Sequence, residues 1–211
     1  MAFSDFNLET AVDRLGLTLP ARSNLFLGLE PLEIPPILQT VIERWAPQAL
    51  EVNTEKARSE LIIAPILMEA AHLTGGRLGV YSGISLDVDR ERGLFGRCDF
   101  LVGRKAGPFL LGSPLLAVVE AKNEDIPGNL GQCVAEMVAV RELNERKGNP
   151  TPTVHGTVTT GSEWLFLRLD GHAVTFDSQD RPLNDLGKIL AYLKAIGSEN
   201  PVTPSAPSPA R

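Results

Sequence analysis

Apolar positions along this chain follow two rhythms. Over residues 54–73 they recur at helical spacing, with Leu61, Ile62, Pro65, Ile66, Met68, Ala70 and Leu73 forming one broad face. Thr54 stands where an N-cap belongs, Pro65 predicts a kink, and Gly75-Gly76 predicts the end. A second helical stretch covers about 129–146, its buried side supplied by Leu130, Cys133, Val134, Met137, Val138, Val140 and Leu143. Between the two helices lie three mostly apolar, strand-like segments at 80–88, 96–103 and 115–122. Turn-rich stretches at 89–93 and 107–114 separate them. Two further strands, 153–160 and 163–169, flank Thr160-Gly161-Ser162. A short strand at Ala173–Phe176 follows, then a closing helix over about 183–196.

Residues 1–53 are punctuated by Pro20, Pro31, Pro35, Pro36 and Pro47. They read as an extension with one or two short helices, one of them starting at Pro35 or Pro36. Residues 54–196 form the main α/β domain, and the Pro- and Ser-rich residues 197–211 read as a disordered tail. The element order αβββαβ predicts a central mixed β-sheet flanked by helices. The strand after the 129–146 helix is expected to pair parallel to 115–122 through a right-handed crossover.

Bulk composition narrows the class. A chain of 211 residues, 43% apolar and 22% charged, suits a globular domain with a sizeable core. No apolar run reaches the ~20 residues a membrane span requires, and the first residues lack a secretory layout. Two cysteines, Cys98 and Cys133, make neither a disulfide framework nor a cysteine zinc site, so a reduced cytoplasmic setting is expected. The net charge of −6 argues against an extensive nucleic-acid surface. It leaves room for a local basic cluster drawn from Arg77, Arg90, Arg92, Arg97, Arg104 and Lys105, most of which read more simply as scattered surface charge.

Charge on the strands changes the picture. Asp99 sits inside one apolar strand, and Glu120 and Lys122 stand two apart at the end of the next, on one face. An unpaired charge is costly to bury, so such groups are paired or hold a metal. Asp99, Glu120 and the carbonyl of Ala121 form a plausible oxygen set for Mg²⁺ or Mn²⁺. Lys122 is placed to orient water or offset charge on a phosphorane. Glu60, midway along the first helix, is a further ligand or water-holder. Gln132, in the first turn of the later helix, is placed to bond a phosphate or brace Lys122.

This set resembles the PD-(D/E)XK nuclease superfamily, the restriction-endonuclease-like proteins, over roughly residues 54–170. The carriers are a helix Glu (Glu60), a strand Asp (Asp99), the Glu120-Ala121-Lys122 strand and a following helix Gln (Gln132). The resemblance implies Asp99 and Glu120 as Mg²⁺ ligands, Lys122 as a catalytic residue, and Glu60 and Gln132 in support. It implies a hydrolase acting on DNA. Cys98 stands where the superfamily name has Pro. Glu136 stands where RecB-like exonucleases carry Tyr, which argues against that subgroup. The plainer alternative is a Glu120–Lys122 pair solvated at a strand end, with Asp99 capping a turn. A rival function keeps the fold as a binding or assembly protein without chemistry. Exposed apolar positions in residues 25–50 suggest a homodimer interface. His72, His155 and His172 lack metal-ligand spacing.

Overall fold

The computed structural model describes residues 1–108 and 110–197. The sequence-predicted tail therefore lies, from residue 198 onward, outside the described residues. Seven strands build a mixed sheet: β1 (Leu78–Asp89), β2 (Leu94–Arg104), β3 (Leu115–Ala121), β4 (Thr153–Thr159), β5 (Glu163–Asp170), β6 (Ala173–Phe176) and β7 (Arg181–Pro182). They lie in the order β1-β2-β3-β4-β5-β6, with β7 paired to β5. Every pairing is antiparallel except β3 with β4, which is parallel. A parallel pair cannot close through a tight turn, and helix α5 (Leu130–Arg146) makes the crossover.

Helices cover both faces. Helix α5, α1 (Leu8–Leu15) and the N-terminal Phe3 and Phe6 pack on one side, around Leu101, Val118 and Val158. On the other side Phe100, Val119 and Phe166 meet α2 (Pro36–Val52), the 55–73 helix and α6 (Leu186–Ile196). A strand buried on both faces reads as a nearly continuous apolar run, which explains Leu115–Val119. Helix α5 is buried around most of its circumference, and Gly131 lets it sit against the backbone of Asn7. Residues 1–53 therefore pack as part of both cores; α1 is a short helix as expected, whereas α2 starts at Pro36 as expected but runs on through Pro47 for 17 residues.

The 55–73 helix is one run in three parts: α3 (Glu55–Arg58), a π-helical turn (Ser59–Ile63) and α4 (Ala64–Leu73). Thr54 caps it as expected, its hydroxyl accepting from the Ala57 amide at 3.1 Å. Pro65 does not stop the helix. The chain widens into the π turn just upstream, where the Ala64 amide reaches back five residues to the Ser59 carbonyl. Among the described residues no helix is long and apolar enough to cross a membrane.

Candidate active site

Strand register brings the two sequence-predicted acids together. The pair Phe100↔Val119, carried one step further, sets Asp99 across from Glu120. A backbone bond secures the approach: the Ala121 amide donates to Asp99 Oδ2 at 2.9 Å.

Asp99 also marks a break in its strand. Leu101 and Cys98 both pack on the α5 side of the sheet, whereas strict alternation would put Cys98 with Phe100 on the other side. The same break occurs in β1, where Tyr81 and Ile84 both face α5. Gly83 lies between the pairs Ser82↔Phe100 and Ile84↔Cys98, opposite Asp99, with φ +67°, a conformation that favours glycine. The left-handed glycine re-aims both strands at the acid.

Glu120 is 1% exposed. Its Oε1 meets Lys122 Nζ at 2.7 Å, while its Oε2 is buried without a hydrogen-bond partner. Burial foremost, and then the Asp99 charge, push its carboxyl up to about 7 against the pull of Lys122. Burial alone would lower the Lys122 ammonium, but Glu120, Glu55 and Asp99 together raise it. Lys122 is thus held as a cation, and its Nζ also lies 3.7 Å from Glu55 Oε2.

Two of these neighbours were not singled out by sequence. Glu136, fully buried on α5, accepts from Gln132 Nε2 at 3.1 Å through Oε1 and leaves Oε2 unpartnered. Burial, and next the Glu120 charge, raise its carboxyl well above the ordinary range. The signal was the i,i+4 spacing from Gln132 to Glu136, which puts both on one helix face. Glu55, in the first helical turn, gave no comparable signal, because its meeting with Lys122 is a tertiary contact.

Gln132 therefore braces Glu136 rather than Lys122. Glu60 reaches the rim of the site, where it is 59% exposed and ion-paired with Lys56 at 2.6 Å. It lines a cleft of about 310 Å³ together with Glu55, Ser59, Gly83, Arg97 and Asp99. A larger hollow than this cleft, about 630 Å³ beside α4 and β1, is mostly apolar and includes none of the predicted site residues. His155 bonds the Tyr192 hydroxyl at 2.9 Å, and burial lowers it to about 4, so it stays neutral in the core. Cys98 and Cys133 are buried free thiols pushed above their ordinary range by burial.

Among the described residues no group of three or more His, Cys, Asp and Glu side chains is arranged to hold a metal. Mg²⁺ asks for less, since it binds through one or two carboxylates and keeps several waters. Asp99, which lines the cleft and accepts from the Ala121 amide, and Glu120, whose Oε2 is buried without a hydrogen-bond partner, offer hard oxygens of that kind. No protein-family model matches the chain, and no curated protein matches its sequence.

Proposed function

We propose that this chain is a divalent-cation-dependent hydrolase of phosphodiester bonds, acting on DNA, on a restriction-endonuclease-like core. One observation carries the proposal: Asp99 and Glu120 meet on adjacent strands beside Lys122, and Glu120 keeps a buried oxygen with no partner. The element order supports it: a helix, three antiparallel strands, a crossover helix and a parallel return strand.

Asp99, Glu120 and the Ala121 carbonyl would hold Mg²⁺ or Mn²⁺, with Glu60 at the rim as a water-holder. When bound, the cation supplies Lewis acidity and lowers the pKa of bound water. To hold the cation Glu120 would have to be ionised, which its raised carboxyl makes dependent on pH near neutrality. Lys122, paired with Glu120 at 2.7 Å, would orient the attacking water and offset charge on the phosphorane. Glu55, which lines the cleft, holds a carboxylate oxygen 3.7 Å from that ammonium. Gln132 fixes one oxygen of Glu136, the buried acid that α5 brings near Glu120.

The second reading is a fold-retaining binding or assembly protein without chemistry. It is favoured by Lys122 standing between two glutamates, Glu120 and Glu55, in ion pairs. Plasmid and single-stranded DNA incubated with each metal separate the two. The expected result is cleavage that falls at least a hundredfold in Glu120→Ala and Lys122→Ala. Equal cleavage by either variant would refute the assigned roles. Saturable thermal stabilisation by Mn²⁺ that disappears in Asp99→Ala supports a working site, and no shift at millimolar metal supports the second reading.

A further inference from the structure

The six basic residues that the sequence offers for phosphate contact have different fates. Arg90 is bonded to Asp87 and lies over the ring of Phe95. Arg92 reaches Glu142 at 2.6 Å. Arg104 donates to the Gly197 carbonyl. Lys105 lines the apolar hollow. Arg77 precedes β1 at Leu78 and is not among the residues that line the cleft. Arg97 alone of the six lines the cleft with Asp99. Among the described residues its side chain has no ion pair or hydrogen bond, whereas the cleft's other cation, Lys56, is already neutralised by Glu60.

The opposite strand makes room for it. A Cβ on Gly83 would collide with the Arg97 guanidinium, at Nη2 first and then at Nε. The glycine that re-aims the strand at Asp99 therefore also leaves the bed on which the guanidinium lies. A planar fork of donors, unpaired and open to solvent beside an acidic centre, matches a phosphate that binds through two oxygens. Acids alone would repel a polyanion, so a substrate strand needs such a cation next to them.

We infer that Arg97, seated across Gly83, grips a backbone phosphate of the nucleic-acid strand next to the one that reacts. It acts as a positioning residue that sets the strand's register in the cleft. This rests on the nuclease reading and adds a substrate contact to it. One bound phosphate contributes a slope of about −0.9 to the plot of log affinity against log salt on duplex DNA, and about −0.7 on single strands.

The test is fluorescence anisotropy of a labelled duplex and a labelled single strand with Ca²⁺ present, from 50 to 200 mM salt. Arg97→Gln is expected to weaken binding by roughly tenfold at the lower salt and to flatten the slope by close to one. Across that fourfold salt range the parent then loses about threefold more affinity than the variant does. Arg97→Lys restores the slope but only part of the affinity, because a point charge replaces the fork. Thermal stabilisation by Mn²⁺ stays at the parent level in Arg97→Gln, which shows that the fold and the acidic centre are intact. A parent that binds DNA with the same affinity and slope as Arg97→Gln overturns the role of Arg97 and leaves the nuclease reading standing. A parent that neither binds DNA nor responds to Mn²⁺ overturns both.

Discussion

Replacing Glu120 by Gln tests the electrostatics of the site without any assumption about activity. Glu120 is almost fully buried, and its carboxyl rises from an ordinary 4.5 to about 7. The folded state therefore holds this proton where the unfolded chain has released it. Its stabilising contribution is complete below about pH 4.5 and is lost as pH climbs through 7. At 1.36 kcal/mol per pKa unit, a rise of about 2.5 units costs roughly 3 kcal/mol by pH 8. Glutamine keeps the shape and cannot ionise. Urea unfolding in EDTA, at intervals from pH 4.5 to 8.5, gives the stability difference between variant and parent. That difference should swing by roughly 3 kcal/mol in favour of the variant as pH rises, worth about 6–12 °C in melting temperature. Glu136 titrates in both proteins, so the difference isolates Glu120 and its coupling to that neighbour. A difference that stays flat over the whole range would refute the claim that Glu120 is buried and unsatisfied.

The same proton sets the metal response: protonation of Glu120 opposes loading, so the apparent Mn²⁺ affinity measured calorimetrically should be weaker at pH 5.5 than at pH 8.5. Lys122→Met removes the cation that restrains Glu120, and urea unfolding should show stability falling more steeply between pH 5 and 8 than in the parent. Asn144→Ala strips the partner from both the amide and the carbonyl of Leu115, which Asn144 meets at 2.9 and 2.7 Å, and denaturation should register a loss of about 2–4 kcal/mol. Asp177→Ala leaves the buried Arg181 without its 2.9 Å partner and should cost about 3–5 kcal/mol in the same assay. Gly131→Ala drives a methyl into the backbone of Asn7, and calorimetry should show a lower melting temperature, for a loss of about 1–3 kcal/mol.

Local signals carried the elements well. The apolar spacing from Leu61 to Leu73 marks a true helix bounded by Thr54 and Gly75, although Met68, counted on its apolar face, is exposed. The charges on apolar strands pointed to Asp99, Glu120 and Lys122, and register does place them side by side. What stayed hidden was tertiary. The Lys122–Glu55 contact joins a strand end to a helix start, and no periodicity connects the two. Gln132 reads in sequence as a phosphate donor or a brace for Lys122, because its turn is legible but its direction is not, and in the structure its amide bonds its own helix neighbour Glu136. Pro65 signalled an irregularity without saying that a widened turn would absorb it. Gly83 carries no chemistry of its own, and only the positive φ opposite Asp99 reveals its part.

Helix α5 is at once the crossover between β3 and β4 and the roof above Glu120. A chain made from its N-terminus outward presents the β1–β2–β3 meander before residues 130–146 of the roof. During synthesis the Asp99–Glu120 pair would meet solvent, and with it any free cation, before residues 130–159 arrive to enclose it. Loading and folding would then become one event, and chelation during refolding would leave a different mark from chelation afterwards.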